Sequence, residues 1–176
     1  MREIVSINRA PVLTLWAAVV AERLGYDHDA ALSLGKALAG LNAQSKGRRL
    51  GIYKPPETVE GIPPKKARPK EALWVELLGR HIPATTTEQG IRAVEEDRHV
   101  NPLGVERYLQ GKFGEALAPV RQAMEDLARA FKPRELATLA FSLYERFRPT
   151  VPEGMRGWGA KGELDLDRIR ELSSRA

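Results

Sequence analysis

The fold is decided by residues 11–25, which read PVLTLWAAVVAERLG. Pro11 suits the first turn of a helix, because an N–H at that position has no partner within the helix. Gly25 follows the last apolar residue and supplies a helix stop. Apolar side chains surround most of the circumference: Val12, Leu13, Leu15, Trp16, Val19, Val20 and Leu24. A helix that is apolar nearly all round is buried on more than one side, so we predict a mainly α, multi-helix bundle.

A second helix is predicted at about 29–44, and it forms an N-terminal helical hairpin with the first. Asp27 or Asp29 can cap it. One apolar stripe recurs at helical spacing: Ala31, Leu34, Leu38 and Leu41. Gly35 and Gly40 each weaken the helix by about 1 kcal/mol relative to alanine, yet they allow another helix to approach closely.

The excess positive charge lies in one stretch, Lys46 to Lys70, which we call the basic arm. Its basic residues are Lys46, Arg48, Arg49, Lys54, Lys65, Lys66, Arg68 and Lys70. With Glu57 and Glu60 the net charge of the arm is +6, whereas the whole chain carries +5, so all other residues sum to −1. The arm also contains five of the 12 prolines. A proline-rich segment of like charge cannot form a core, so we predict an exposed loop that attracts phosphates.

Residues 71–86 allow two interpretations, a helix or a small β-hairpin. Leu73, Trp74 and Leu77 fit one face of a helix. The Gly79-Arg80 pair between β-forming residues is typical of a hairpin, and we favour the hairpin. Pro83 would then need an edge position, because proline cannot donate to a sheet ladder.

Helix signals return after the hairpin. Thr86 and Gln89 have the spacing of a capping box, which predicts a helix that ends near Arg98. Asn101 followed by Pro102 predicts a further helix, to about residue 112.

Two strongly periodic helices follow, one from Glu115 and one from Pro133 to about Phe147, and we predict that they form an antiparallel pair. A short helix at about 165–174, capped by Asp165, ends the chain.

Length and composition indicate one protein of ordinary globular type. The 176 residues are 43% hydrophobic and 29% charged, and we divide them into a hairpin (1–45), the basic arm (46–70) and a helical body (71–176). Cysteine is absent, which excludes disulfides, thiolate catalysis and cysteine-ligated metals. The longest apolar run, Val12 to Ala21, is too short for a membrane span of roughly 20 residues. It also lacks the features of a signal peptide, so we expect a cytoplasmic protein with no membrane partner.

A glycine-rich segment, Gly154–Gly162, reads GMRGWGAKG. Arg156 and Lys161 on such a backbone could cradle a phosphate. Lys161 is followed by glycine rather than serine or threonine, so the segment departs from the P-loop pattern. A packing role, with Trp158 docked on the helices, is the alternative that we favour.

No catalytic or metal motif stands out. The histidines His28, His81 and His99 lie far apart in sequence, and none has the spacing of a metal pair. No serine lies in a nucleophile-elbow pattern, and no carboxylates have the spacing of an acid/base pair. We therefore predict no catalytic residue, no metal site and no cofactor.

Two segments, Arg9–Gly25 and Arg156–Gly162, resemble a family of small uncharacterised bacterial proteins. The likeness extends over most of the chain. The resemblance implies no activity and no site, and it supports treating residues 1–176 as one evolutionary unit.

The leading functional hypothesis is a non-enzymatic protein that binds DNA or RNA through sequence-independent phosphate contacts. The predicted contact residues are the eight basic residues of the basic arm together with Arg156 and Lys161. Base reading is not predicted, because the second helix offers few outward polar side chains, namely Ser33, Lys36, Asn42 and Gln44.

Two alternatives remain open. The first is a helical interaction module, a homodimer or an adaptor, with Trp16, Trp74 and Trp158 in its interface. The second is an enzyme whose site is not recognisable from sequence, and its mark would be a deep pocket with converging titratable groups.

Overall fold

A computed structural model describes residues 3–49, 72–95, 98–151 and 161–174 of the chain. The described helices are α1 (Arg9–Arg23), α2 (His28–Arg49), α3 (Pro102–Phe113), α4 (Leu117–Arg129), α5 (Pro133–Phe147) and α6 (Leu166–Ser174). The described strands are β1 (Ile4–Asn8), β2 (Ala72–Leu77), β3 (Arg80–Thr87), β4 (Gly90–Glu95), β5 (Arg98–His99) and β6 (Lys161–Asp165). The protein is mainly helical, but it carries two small antiparallel sheets and is therefore not purely all-α.

Helix α1 forms the centre of the core, as its apolar circumference predicted. Every residue from Pro11 to Ala21 is buried, and α2, α3, α4 and α5 all contact this helix. Trp16 is fully buried, and its indole N–H donates to the carbonyl oxygen of Ala140 at 2.9 Å. Its ring meets the ring of Phe147 edge to face at 5.2 Å. Within the described part of the chain, no helix combines the length and the apolar character needed to cross a membrane.

The hairpin of α1 and α2 is confirmed, and Gly35 lies at its closest approach. A Cβ atom on Gly35 would lie 2.5 Å from the carbonyl oxygen of Thr14. Helix α2 is longer than predicted and continues to Arg49, so its last turns include the first three basic residues of the basic arm. Residues 41–49 are mostly good helix formers, and Gly47 alone does not end the helix.

The predicted β-hairpin is confirmed as β2 and β3. Leu77 pairs with Arg80, and the two turn residues, Leu78 and Gly79, have φ angles of 49° and 77°. Such a pair of positive φ angles matches the right-handed twist of a two-residue hairpin. Pro83 lies one residue before Ala84, the first residue of β3 that pairs with β4, so the proline has no described ladder partner in β4.

The helix predicted between Thr86 and Arg98 is wrong, because β4 and β5 occupy this stretch. The four strands form one antiparallel sheet in the order β2-β3-β4-β5. Thr87 Oγ1 accepts from the Gln89 N–H at 3.2 Å and donates to the Gly90 carbonyl at 2.7 Å. The polar residues interpreted as a helix cap therefore form a hairpin turn, as threonine side chains also do.

A second sheet pairs the two distant strands β1 and β6, from Ile4–Asp165 to Asn8–Lys161.

The N-terminal caps predicted for α6 and α3 are confirmed. Asp165 Oδ1 accepts from the Asp167 N–H at 3.0 Å at the start of α6, and Asn101 Oδ1 accepts from the Leu103 N–H at 3.0 Å at the start of α3.

Helices α4 and α5 lie where the sequence predicts them, but they do not form a close pair. Each packs against α1, and α4 also packs against α6. Arg23, at the end of α1, donates to the carbonyls of Ala128 and Phe131 and ties α1 to the end of α4. The apolar stripes of α4 and α5 therefore face the wider apolar surface of α1 rather than each other.

Candidate functional site

The predicted phosphate-contacting residues divide into three groups. Lys46, Arg48 and Arg49 belong to the last turns of α2. Lys161 is exposed at the start of β6, opposite Asn8. The others lie outside the described residues: Lys54, Lys65, Lys66, Arg68, Lys70 and Arg156.

The basic arm connects helix α2 to strand β2. It begins on α2 and leads into β2, the strand that pairs with β3. Helix α2 itself contacts both β3 and β4. Arg80 Nη2, in the first residue of β3, donates to Asn42 Oδ1 on α2 at 3.3 Å. The arm is therefore tethered at both ends to one helix–sheet unit.

Carboxylates beside α2 already have cationic partners. Glu95 lies next to Gly40, and its Oε1 is 3.5 Å from Lys36 Nζ. Asp29 Oδ2 lies 3.8 Å from Nη2 of Arg92, a nearly buried arginine. These two acids are neutralised locally, which leaves them poorly placed to neutralise the basic arm.

Outward polar groups of α2 are largely used within the fold. Ser33 is buried, where its hydroxyl donates to the Ala30 carbonyl and accepts from the Ala93 N–H. Lys36 pairs with Glu95, and Asn42 accepts from Arg80. Helix α2 is thus a packing helix that ties the hairpin to the sheet, and these side chains are not presented for reading bases.

A second group of residues, which we call the Arg9 cluster, consists of the two arginines Arg9 and Arg148 and the neighbouring Tyr144. Arg9 opens α1, and Arg148 follows the last residue of α5. Arg9 Nε donates to the carbonyl oxygen of Pro149 at 3.0 Å, which holds its guanidinium beside the Arg148 backbone. Tyr144 lies one turn before Arg148, whose N–H donates to the Tyr144 carbonyl at 2.7 Å.

The Arg9 cluster is partly desolvated and carries two positive charges. Burial lowers the pKa of Arg9, and the charge of Arg148 lowers it further, whereas Tyr144 raises it. Burial raises the pKa of Tyr144 well above its usual value, against a smaller lowering by the two arginines. Among the described residues, no carboxylate lies within 4.0 Å of either guanidinium.

The Tyr144 hydroxyl has no hydrogen-bond partner among the described residues, although Tyr144 is only 1% exposed. A buried hydroxyl without a partner is uncommon, and it calls for an explanation such as a bound ion or water. Sequence analysis did not find this cluster, because Arg9 and Arg148 lie about 140 residues apart and no local pattern connects them.

A separate cleft of about 500 Å³ lies between α2, α3 and α4. Glu22 Oε2 lies 3.5 Å from Nδ1 of His28 and forms an ion pair with Arg121. Arg121 Nε donates to Glu125 at 3.3 Å. His28 and Arg121 line the cleft together with Glu106, but the lining contains no serine, threonine, lysine or tyrosine. The cleft therefore brings together charged side chains but offers no hydroxyl or amine nucleophile.

The remaining histidines do not converge. His81 Nε2 lies 4.0 Å from Glu76 in the exposed hairpin, and His99 is exposed in β5. Within residues 3–49, 72–95, 98–151 and 161–174, no group of three or more histidine or carboxylate side chains could hold a metal ion.

The three tryptophans have different surroundings. Trp16 is a core residue, and its burial accounts for it without an interface. Trp74 is 52% exposed on β2, and Trp158 lies outside the described residues.

Comparisons with protein-family models, with curated proteins and with solved structures found no match to this chain. The resemblance to small bacterial proteins therefore stays a prediction.

Proposed function

We propose that the protein associates with nucleic acid through the basic arm and contacts phosphates without reading bases. One observation carries this proposal: 25 residues hold a net charge of +6, whereas the rest of the chain sums to −1. Lysine and arginine neutralise phosphates and release condensed counterions, which gives sequence-independent affinity. Such a role implies the cytoplasm as the working compartment.

Tethering of the arm at both ends supports the proposal. A segment held by α2 and β2 has fewer conformations than a free tail, so ordering it on a ligand costs less conformational entropy. The first three basic residues lie on helical backbone, which orders this end of the arm before any ligand binds.

The surroundings of the arm also support it. Glu95 and Asp29, the acids beside α2, are paired with Lys36 and Arg92. Self-neutralisation by these two carboxylates therefore competes poorly with phosphates. The hydroxyl of Ser33 is used in hydrogen bonds within the core, so it is not available to contact a base edge. This favours phosphate contacts over base contacts.

The interaction-module alternative loses two of its motivating observations. Helix α1 and Trp16 are both buried within the monomer, so their apolar character needs no partner chain. The cleft beside His28 contains titratable groups but no serine, threonine, lysine or tyrosine, and it gives no specific support to the enzyme alternative.

A salt titration with matched variants tests the proposal. We would measure fluorescence anisotropy of labelled duplex DNA, single-stranded DNA and single-stranded RNA between about 50 and 200 mM salt. If all eight basic residues contact duplex phosphates, the slope of log K against log salt is roughly −7, and affinity falls by about four orders of magnitude across this range. The arm variant K54Q/K65Q/K66Q/R68Q should reduce the slope by about 3.6.

The matched control removes the same charge elsewhere. R107Q/K112Q/R134Q/R146Q changes four exposed cations of α3 and α5 and should leave the slope close to that of the wild type. Equal losses in both quadruple variants would show that net charge, and not the arm, drives binding. Absence of binding to all three probes at low salt would reject the proposal.

A further inference from the structure

We propose that Arg9 and Arg148 form a binding site for an oxyanion, a phosphate or carboxylate group, beside the buried hydroxyl of Tyr144. The site lies where the start of α1 meets the end of α5, and it is separate from the basic arm. It does not depend on the proposed function.

The first argument is the placement of the two guanidinium groups. Arg9 donates through Nε to the Pro149 carbonyl, and the N–H groups of its two Nη atoms remain as further donors. Pro149 directly follows Arg148, so Arg9 contacts the backbone next to Arg148, and the charge of Arg148 acts on the Arg9 guanidinium. Two arginine forks at one place match the several acceptor oxygens of one phosphate or carboxylate group.

The second argument is the missing counter-charge. Arg9 and Arg148 are both half-buried, and no described carboxylate lies within 4.0 Å of either one. Like charges in a partly desolvated position repel each other, and an anion between them would convert this repulsion into attraction. Arg23 at the other end of α1 differs, since two carbonyl groups accept from its guanidinium.

The third argument is independent of charge and comes from Tyr144. Its hydroxyl is buried and lacks a partner among the described residues, although the remainder of its ring packs against Phe147 and Phe141. The hydroxyl oxygen is closed to solvent, so a bound oxyanion would accept a hydrogen bond from it once the side chains over it move aside. One ligand would therefore satisfy both the unpaired cations and the unpaired hydroxyl.

Thermal unfolding of the full chain tests this site. Wild type, Arg148→Gln and the control Arg134→Gln are compared with and without inorganic phosphate, at constant ionic strength maintained with chloride. Arg134 is exposed at the opposite end of α5. Phosphate at about 100 times its Kd should raise the Tm of wild type and of Arg134→Gln by roughly 5–10 °C, and the rise should be lost in Arg148→Gln.

A second measurement keeps the test decisive if a variant fails to fold. In wild-type protein, the Nε–H resonances of Arg9 and Arg148 should shift on titration with phosphate, while that of Arg134 stays in place. Acetate in place of phosphate distinguishes the two ligand classes: a response to acetate alone assigns a carboxylate site. Equal Tm rises in all three proteins, or unmoved Arg9 and Arg148 resonances with both anions, would overturn the proposal.

Discussion

Gly35→Ala adds a single methyl group at the closest approach of α1 and α2, and we expect it to destabilise the protein. The new Cβ atom would lie 2.5 Å from the Thr14 carbonyl oxygen and 3.1 Å from the Ala18 nitrogen. Both are backbone atoms, so neither can rotate away as a side chain does. Restoring the 3.4 Å of an ordinary contact requires the helices to separate by about 0.9 Å.

The size of the effect follows from two opposing terms. Overpacking of a tight core costs about 3 kcal/mol when only backbone can yield. Alanine regains about 1 kcal/mol over glycine through helix propensity. The net loss in the free energy of unfolding is about 2 kcal/mol, which lowers the Tm of a chain of this size by roughly 4–8 °C.

Urea and thermal unfolding followed by far-UV circular dichroism measure this loss, and Gly111→Ala is the matched control. Gly111 lies in α3, where an added Cβ atom has no neighbour within 4 Å. The same substitution should therefore stabilise the protein there, by up to about 1 kcal/mol. If Gly35→Ala were as stable as Gly111→Ala, the close packing of α1 on α2 would be refuted.

Three further substitutions test other parts of the fold. Tyr144→Phe removes a buried hydroxyl without a partner and should stabilise the anion-free protein by about 1 kcal/mol in urea unfolding at neutral pH. Burial raises the pKa of Tyr144 above its usual 10.0, so its contribution to the free energy of unfolding is complete below pH 10 and declines as the pH rises further. Tyr144→Phe should flatten this decline when unfolding is measured at increasing alkaline pH. The same decline in wild type and variant would contradict the burial of the hydroxyl. Asn101→Ala deletes the side-chain acceptor for the Leu103 N–H and should cost about 1 kcal/mol, whereas Asn101→Asp should retain most of the stability in the same assay. Trp16→Phe leaves the Ala140 carbonyl without its indole donor and should cost about 1–3 kcal/mol, and no change in the urea midpoint would mean that this hydrogen bond is not made.

Helix positions were predictable wherever the signals are local. Asn101 before Pro102 and Asp165 before the last helix act as the caps that their residue types suggest. The all-round apolar character of α1 predicted its central position, because such a helix cannot face water on any side.

Ambiguous local signals account for the main error. Thr86 and Gln89 have the spacing of a capping box, yet the hydroxyl of the adjacent Thr87 stabilises a hairpin turn. A distant contact favours the strand over the helix: the Ser33 hydroxyl on α2 accepts a hydrogen bond from the Ala93 N–H and so holds β4 against α2. That contact joins residues 60 positions apart, which no local pattern contains.

The two candidate sites, the basic arm and the Arg9 cluster, differ in whether the sequence alone could predict them. The charge of the basic arm is a property of composition and needs no structure, because a concentration of lysine and arginine attracts phosphates in any conformation. The Arg9 cluster exists only in the folded chain, because the hydrogen bond from Arg9 to Pro149 connects residues 140 positions apart.

The amino-acid sequence by itself therefore determined the helices with strong caps, the central place of α1 and the position of the excess charge, because these depend on neighbouring residues and on net composition. Tertiary structure alone decided the pairing of β1 with β6, the sheet in place of a helix after Thr86, and the contact of Arg9 with Pro149. These features depend on contacts between distant residues. Their free energy arises only when the whole chain has folded and the competing local conformations have been excluded.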